Sequence, residues 1–472
     1  MAKIHGVLDV GRRGMLLSQT AMQTTSHNIT NRSTEGYSRQ RVEQTTNPTV
    51  GEGNFRIGTG AKLAGINRMN NPWIEKQLEK ENSSFSRLEE QVGGLARLES
   101  ALNEQSVKGL SDTIGNFFNS FREIANTPES AVARTQVREA AVNLVSGLQL
   151  AKKQISDVKV DMNKSVEFNI SEVNALAKEL ASLNLKIQDI EVGGHNIAND
   201  ERDHRDLLLK KLSEKIDISY AEDVSTGMIN VTAGKTAILV AGTTSNQLKT
   251  AENNNGQVQI YNELSKGGTL LDITDQFRSG KVGAAIELRD GTTDTMINHL
   301  EDLAYNLTHE VNKAHAEGFD RYNQTGFEFF EMKDKTQPFS IENLQLSDRI
   351  IEDVSRIAVA SKANAPGDNT VANVIHNLQG RPLMEGGKYS FDDFYNAKVS
   401  EIGILAQRSN SSFESQRNTL DQLKNIRESL SGVNMDEEAA RMIEHQKSFE
   451  ASARLIKTAD EMMDTVLNLK RL

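Results

Sequence analysis

The chain contains no cysteine among its 472 residues. Disulfides, zinc sites built on thiolates and a cysteine nucleophile are therefore excluded. It also has only six prolines and one tryptophan, and aromatic residues make up 5% of it. Few helix-breaking residues beside abundant Ala, Leu, Glu, Lys and Gln favour long helices over a compact β fold. At this length we expect roughly two to four domains.

Long apolar runs and basic clusters are absent as well. No run of about 18 apolar residues occurs, so we expect no membrane insertion. The N-terminus carries Asp9, Arg12 and Arg13 within any apolar core, which excludes a Sec-type signal peptide. The formal net charge is −11. We expect no nucleic-acid partner, because a non-specific binder needs basic patches to displace counterions from phosphates.

Catalytic and metal-binding motifs are also missing. The sequence has no Gly-x-Ser-x-Gly elbow, no P-loop and no His-Glu-x-x-His helix. His309 and His315 are six residues apart, which places them on different faces of a helix. Gly58 and Gly60 indicate turns, because Leu63 occupies the third glycine position of a dinucleotide-binding loop. We therefore expect a non-enzymatic protein with no cofactor and no metal.

What the chain does have is a heptad repeat at each end. The N-terminal seam recurs every seven positions and consists of Leu8, Met15, Met22 and Ile29, with Ile4, Gly11, Ser18 and Thr25 four residues before them. The C-terminal seam has the same spacing and consists of Met442, Phe449, Ile456 and Met463. Such spacing places side chains on one stripe of a helix, which is stable only against another helix. The pattern leaves open whether the seams pair with each other or with other chains.

Between the seams, the periodicity predicts long helices and one β-rich insert. Helical spacing extends from residue 74 to residue 102, and again without proline from 137 to 190. The second helix is expected to start with Thr127 as its N-cap and Pro128 at its first position, and to approach roughly 95 Å in length. Short runs of Val, Ile, Tyr and Thr between residues 216 and 261 predict strands.

The segment from Asn28 to Gln40 reads Asn-Ile-Thr-Asn-Arg-Ser-Thr-Glu-Gly-Tyr-Ser-Arg-Gln. It resembles the signature of the bacterial flagellar hook-associated protein 1 family, with Thr30 where alanine is usual. Two further stretches look like family blocks, residues 279–320 and residues 432–439, the latter reading Gly-Val-Asn-Met-Asp-Glu-Glu-Ala. The resemblance covers both termini and the middle of the chain.

The resemblance implies a structural component of the bacterial flagellum that joins hook to filament by self-assembly. The implied partners are the hook protein, the second junction protein, copies of the chain in a ring, and a cytosolic export chaperone at the C-terminal helix. The implied location is extracellular, on the flagellum, reached through the flagellar export apparatus without a cleaved signal peptide. An adhesive or enzymatic activity added by the outer insert remains the alternative.

Pattern and resemblance together predict a mainly α fold with a β-rich insert. The expected parts are a long coiled-coil-like helical bundle from both chain halves, an outward α+β domain and paired terminal helices. The predicted domains are residues 1–45 with 433–472 (terminal helical, lining the inner tube), 46–213 with 396–432 (long-helix bundle) and 214–395 (β-rich, outer, with a helix near 293–316).

The signature segment has a physical interpretation as the end of a helix. Asn28 and Asn31 can bond backbone groups where the last carbonyls lack partners, Gly36 permits a turn, and Tyr37 offers a ring with a polar tip. A bare turn requires neither Arg39 nor Gln40. The residues predicted to bind partners during assembly are Leu8, Met15, Met22, Ile29, Asn28, Asn31, Gly36, Tyr37, Ser38, Arg39, Gln40, Met442, Phe449, Ile456 and Met463.

Overall fold

The structure is a computed structural model that describes residues 2–52, 55–102, 109–193, 196–254, 256–263 and 268–469. Helices dominate these ranges. They are α1 (Ala2–Asn31), α2 (Pro72–Leu102), α3 (Leu110–Asn126), α4 (Ala131–Glu191), α5 (Asn199–Lys215), α6 (Gly280–Glu287), α7 (Asp294–Ala316), α8 (Asp348–Glu352), α9 (Thr370–Leu378), α10 (Phe391–Ser431) and α11 (Met435–Leu469).

The strands form small antiparallel sheets. They are β1 (Gln40–Thr46), β2 (Val50–Glu52), β3 (Phe55–Ile57), β4 (Ala61–Arg68), β5 (Ile218–Glu222), β6 (Ile229–Ala233), β7 (Ala237–Ala241), β8 (Thr244–Ser245), β9 (Leu248–Glu252), β10 (Val258–Glu263), β11 (Leu270–Asp272), β12 (Phe330–Met332) and β13 (Leu344–Leu346). The larger sheets have the orders β5-β6-β7-β8 and β11-β10-β9, and the remaining strands pair as β1-β4, β2-β3 and β12-β13. The predicted class, mainly α with a β-rich insert, is confirmed.

The long helix α4 has 61 residues, as its proline-free pattern predicts, but it starts later than expected. The Thr127 N–H bonds to the carbonyls of Glu123 and Ile124 and so closes the last turn of α3. The hydroxyl of Ser130 instead accepts from the Ala133 N–H, at 3.2 Å. The predicted N-cap at Thr127 is therefore wrong, because that residue is the C-cap of the preceding helix.

The chain folds into two compact units that differ from the predicted division. The first comprises Met1–Arg87, Asn169–Lys281 and Ser415–Leu472, and the second comprises Leu88–Phe168 and Val282–Glu414. The predicted outer segment 214–395 is thus divided between them. In the first unit, Asn184 of α4 donates to the carbonyls of Ile229 and Gly242 in the β-rich insert.

In the second unit, an earlier residue of α4 binds the part of the segment 214–395 that does not belong to the first unit. Gln149 of α4 donates to the carbonyls of Ile341 and Leu344, at 3.2 and 3.0 Å. Although the sequence is poor in aromatic residues, several phenylalanines cluster in this unit. Rings of α3 pack against Phe329, which precedes β12, and Phe330, its first residue. The ring centroids of Phe121 and Phe329 are 5.6 Å apart. Helix α4 therefore contributes to both units, up to Phe168 in the second and from Asn169 in the first.

Candidate assembly site

The terminal helices α1 and α11 lie antiparallel in the first unit. Gly11 is next to Ser452 and Ile456, whereas Asn28, near the end of α1, bonds to Glu438, near the start of α11. A Cβ atom at Gly11 would lie 2.8 Å from Ile456 Cγ1. A side chain at this position would therefore have to displace Ile456, and its Cβ would also lie 3.3 Å from the Ser452 carbonyl oxygen.

Small and polar side chains occupy the contact line of this helix pair. The buried positions of α1 are Gly11, Ser18, Ala21, Thr24, Thr25 and Asn28, and those of α11 are Glu438 and Ala459. The two seams flank this line and are half-buried: Leu8, Met15, Met22 and Ile29 on α1, and Met442, Phe449, Ile456 and Met463 on α11. Long side chains lie beside the line because the closely spaced backbones leave no room on it. Their part in assembly stays a prediction.

Asn28 joins three segments at the end of α1. Its Nδ2 donates to the Gln40 carbonyl and to Glu438 Oε2, both at 2.9 Å. Its Oδ1 accepts from the Tyr37 hydroxyl at 2.8 Å and from the Gln40 N–H at 2.9 Å. A buried carboxamide that uses both of its donors and its acceptor in this way fixes the relative positions of α1, β1 and α11.

The turn after α1 depends on Gly36 and Tyr37. Gly36 has φ +83°, and a Cβ there would lie 3.1 Å from Leu207 Cβ. The ring of Tyr37 is buried edge-on against His27, with 5.6 Å between centroids. Burial first, and then nearby carboxylates headed by that of Asp200, raise the pKa of Tyr37 well above its usual value. Its hydroxyl therefore stays protonated and donates to Asn28.

Arg39 pairs with two consecutive carboxylates in the first turn of α11. Its Nη2 lies 2.8 Å from Glu437 Oε1 and 2.7 Å from Glu438 Oε1. Hydrogen bonds from Arg39 and then Arg441 lower the pKa of Glu437 to about 2. The backbone of Arg39 also donates to the Ser431 carbonyl at 2.8 Å. The side chain that a bare turn does not explain thus binds the opposite end of the chain.

Gln40 and Ser38 bind carboxylates of α5. The Gln40 Nε2 donates to Asp200 Oδ1 at 2.6 Å, and the Ser38 N–H donates to Asp203 Oδ2 at 2.7 Å. Arg68 of β4 completes the arrangement with a 2.8 Å ion pair to Asp203. The loop between α1 and β1 is therefore held by α5 as well as by α11.

Asn31 acts locally within this loop. Its Nδ2 donates to the His27 carbonyl at 3.1 Å and its Oδ1 accepts from the Thr34 hydroxyl at 3.2 Å. These bonds satisfy groups at the end of α1, as the sequence pattern suggests for an asparagine at a helix terminus. Asn31 consequently helps to end the helix where the signature segment begins its turn.

Sequence reasoning missed the partners of the signature segment. These partners are carboxylates far away along the chain, so only the tertiary structure shows which of them the motif binds. The one local signal for them in the sequence was the acidic start of α11. The missed residues are Arg68, Asp200, Asp203, Arg427, Glu437 and Glu438. Among them, Arg427 of α10 donates to the Gly36 carbonyl at 3.1 Å.

The carboxyl group of Glu79 in α2 has a pKa near neutral pH, which makes the stability of the first unit depend on pH. Its carboxylate accepts from the Tyr220 hydroxyl at 3.0 Å. Burial raises its pKa from 4.5 to about 7, the Tyr220 hydrogen bond opposes the rise, and the charges of Asp206 and Glu75 add to it. Because the folded-state pKa is the higher one, the folded state gains stability below pH 4.5 and loses it as the pH rises through about 7.

We therefore expect Glu79→Gln to raise the free energy of unfolding at pH 8 by about 1 kcal/mol, after allowance for solvent screening. At pH 5 the variant and the parent are expected to differ little. Thermal unfolding at both pH values measures this, with Glu99→Gln, an exposed residue of the same helix, as the control. If the free energies of unfolding of parent and variant differ by the same amount at pH 5 and at pH 8, Glu79 is not the titrating group.

The described ranges lack two kinds of feature. None of their helices has the length and apolar character needed to cross a bilayer. No group of three or more His, Asp or Glu residues in these ranges has the geometry to hold a metal ion. What the described structure does contain is a terminal helix pair tied together by the turn after α1 and by long-range ion pairs.

Comparison with known proteins agrees with this arrangement. Residues 95–330, half of the chain, match the family described as "Flagellar hook-associated protein FlgK helical domain". Residues 428–469, which include α11, match "Flagellar basal body rod FlgEFG protein C-terminal". The first match lies mostly in the long helices and the β-rich insert, and the second lies at the terminal pair.

Whole-chain relatives have the same name. The chain is 26% identical to "Flagellar hook-associated protein 1" of Bacillus subtilis, over 98% of this chain and 97% of that one. It is 23% identical to the protein of that name from Escherichia coli, over 97% and 98% of the two chains. The solved "flagellar hook junction protein FlgK from Burkholderia pseudomallei" superposes with a TM-score of 0.68 at 16% identity, covering 75% of this chain and 100% of that one.

The helix pair, its signature turn and these matches define a structural protein of the bacterial flagellum. Its interactions are with other axial components of that organelle. More narrowly, the chain belongs to the flagellar hook-associated protein FlgK family.

Proposed function

We propose that this chain joins hook to filament as a non-enzymatic subunit that assembles through its terminal helix pair. The observation that carries the proposal is apolar surface left uncovered on that pair. Five large apolar side chains on its outer side are between 42% and 59% exposed: Val7, Leu16, Ile443, Leu455 and Met462. Covering apolar surface gains about 25 cal/mol per Å², so neighbouring subunits that bury these residues stabilise an assembly.

The partners proposed for this surface are the hook protein, the second junction protein and further copies of the chain in a ring. Names of relatives support the first of these, since one is called hook-associated and another a hook junction protein. Within the signature segment, Asn28, Tyr37 and Ser38 are buried inside the chain. Their proposed role is to fix α1 against α11 and α5, which presents the outer apolar residues in one orientation.

The C-terminal seam has a second proposed partner before assembly. Its four residues are half-buried in the folded chain, where α11 packs against α1. Without α1 they would be more exposed and could bind an export chaperone in the cytosol. Release of the chaperone and export without a cleaved signal peptide would then let α1 take its place. The terminal helical domain, residues 1–45 with 433–472, is accordingly the part that we propose to assemble outside the cell.

The double variant Leu455→Gln, Met462→Gln tests the proposal. We expect cells that carry it to lose most filaments and to release at least about tenfold more flagellin into the medium, because two apolar contacts of about 1.5 to 3 kcal/mol each are removed per interface. Electron microscopy and blotting of the culture medium measure these effects. The matched control is Lys457→Gln, Glu461→Gln, which alters two exposed charged residues of the same helix.

Folding and assembly are separable in this test. Both replaced apolar side chains are exposed, so the purified double variant is expected to keep the thermal midpoint of the parent. Normal filaments on cells with the double variant, or on cells with the gene deleted, would contradict the proposed function.

A further inference from the structure

The second unit contains a cavity of about 340 Å³ beside the first turn of α4. All residues that line it belong to this unit and to the described part of the chain. The charged ones are the cations Arg134, Arg321 and Lys362 and the anions Glu129, Asp320 and Asp368. Because the two signs are equal in number, the partners that each group has inside the chain decide what the cavity can bind.

Arg134 is a buried cation in this lining and has no ion pair with a described carboxylate. The residue is 4% exposed. Its Nη2 donates to the Pro128 carbonyl at 3.0 Å and its Nη1 to the Ile357 carbonyl, but its Nε–H has no acceptor among the described residues. Burial first, and then the positive charge of Arg321, lower the pKa of Arg134 to about 10. A water molecule can accept from this N–H group, but only an anion balances the buried charge.

Asp320 presents an unused acceptor to the same cavity. It is 5% exposed, and its Oδ1 accepts from the N–H groups of Tyr322 and Gln324, each at 2.8 Å. Its Oδ2 has no hydrogen-bond donor among the described residues, although Arg356 Nη1 lies 3.5 Å away and pairs its charge. Two largely buried groups therefore line the cavity with unused hydrogen-bonding atoms, a donor on Arg134 and an acceptor on Asp320.

The other charges around the cavity favour an anion. Both oxygens of Asp368 accept hydrogen bonds from residues of its own loop, so that carboxylate is used inside the chain. At the rim, the exposed cations Arg321 and Lys362 outnumber the one exposed carboxylate, Glu129. Neither cation has an ion pair among the described residues. The first turn of α4 is the positive end of its helix dipole, which also favours negative charge beside it.

Two loops that border the cavity are joined by their asparagines. Asn323 Nδ2 donates to Asn364 Oδ1 at 2.8 Å, and the Asn364 N–H donates to Asn323 Oδ1 at 2.6 Å. Both residues have positive φ, 59° and 57°, a left-handed conformation that asparagine adopts more readily than most residues. The loops are thus held in place without a ligand, which lowers the ordering cost of binding one.

We propose that this cavity binds a small oxyanion that keeps a proton, as hydrogen phosphate does. Arg134 Nε–H donates to one oxygen of the anion, and Asp320 Oδ2 accepts the hydrogen of its P–O–H group. Sulfate has the same shape but offers no hydrogen at neutral pH, so Asp320 repels it and stays without a donor. The site lies in the second unit, whereas the proposed function uses the terminal helices of the first, so either can fail without the other.

Calorimetric titration of the purified full chain with inorganic phosphate at pH 7, and with sulfate at the same ionic strength, measures this selectivity. We expect a Kd for phosphate of about 1 mM or lower. Sulfate is expected to bind at least about tenfold more weakly, the factor that one hydrogen bond to a charged group provides. Equal affinities for the two anions, or no binding of phosphate, would overturn the inference.

Asp320→Asn tests the unused acceptor separately. The remaining amide oxygen can still accept from Tyr322 and Gln324, whereas an N–H group replaces the free oxygen. The preference for phosphate over sulfate is therefore expected to fall to about twofold or less. A purely structural role of Asp320 would change both affinities equally, so an unchanged preference would refute its proposed contact with the ligand.

Arg321→Gln with Lys362→Gln tests the cations at the rim. Both residues are exposed, so we expect the parent's thermal midpoint but at least about tenfold weaker binding of phosphate. The matched control, Lys333→Gln with Arg408→Gln, removes the same charge from two exposed residues of the second unit outside the lining. Equal weakening in both double variants would show that phosphate responds only to the net charge of the chain, and the inference would fall.

Discussion

Glu438→Ala is expected to detach the start of α11 from the end of α1. Glu438 is 1% exposed, accepts from Asn28 Nδ2 at 2.9 Å and lies 2.7 Å from Arg39 Nη2. Removing the carboxylate leaves the largely buried Arg39 guanidinium with Glu437 as its remaining acidic partner, and it leaves one of the two Asn28 Nδ2 hydrogens without an acceptor. Breaking a buried ion pair in this way costs about 3 kcal/mol or more. We expect this loss to appear as lower hydrogen-exchange protection of the backbone N–H groups at the end of α1 and in β1.

Glu437→Ala is the matched control for this variant. Glu437 is the preceding residue and also binds Arg39, but its side chain is 46% exposed. A pair of this exposure contributes only about 0 to 1 kcal/mol. Hydrogen exchange on the purified chains compares the two variants, and electron microscopy of the cells follows assembly. Equal effects of the two substitutions would show that burial of Glu438 is not what holds the helices together.

Gly11→Leu is expected to separate the two terminal helices where Gly11 faces Ser452 and Ile456 of α11. Even a Cβ atom there would lie 2.8 Å from Ile456 Cγ1 and 3.3 Å from the Ser452 carbonyl oxygen. The backbone oxygen cannot move aside without displacing α11, and forcing a larger side chain into such a contact costs about 1 to 3 kcal/mol. We expect a lower thermal midpoint of the purified chain and loss of filaments from the cells.

Gly6→Leu on the same helix distinguishes this steric effect from a change in helix propensity. A Cβ at Gly6 would meet no atom within 4 Å. Replacing an exposed helical glycine by leucine is favourable by up to about 0.8 kcal/mol, so the control is expected to be as stable as the parent or slightly more stable. A Gly11→Leu chain with the parent's thermal midpoint would show that the helices do not need this close contact.

The terminal helix pair shows which contacts hydrophobic periodicity can predict and which it cannot. The heptads predict helices that need partners, and α1 and α11 do pair. Periodicity points to the large apolar residues Met15 and Met22 as the seam. It places Ser18 and Thr25 at the repeat position four residues before the seam without assigning them a contact, although both lie on the contact line. The closest-packed positions of a helix pair are filled by small side chains, and these carry no apolar signal.

The long helix illustrates the same limit at its boundary. Its length follows from an uninterrupted 3–4 pattern, which is local information. Its first residue does not, because Thr127 is claimed by the last turn of α3 and Ser130 takes over the capping role. Thr127 can end α3 or begin α4 as far as the local sequence shows, and only the packed structure determined that it ends α3.

The sequence by itself determined the helical class, the heptads at both ends and the signature segment from Asn28 to Gln40, because each depends on residues close together in the chain. The tertiary structure decided that Arg39 pairs with Glu438, that Asp203 binds the Ser38 N–H, and that the segment 214–395 divides between two units. Those contacts join residues separated by tens to hundreds of positions. Burial and charge pairing selected them in the folded chain, and no spacing along the sequence encodes that choice.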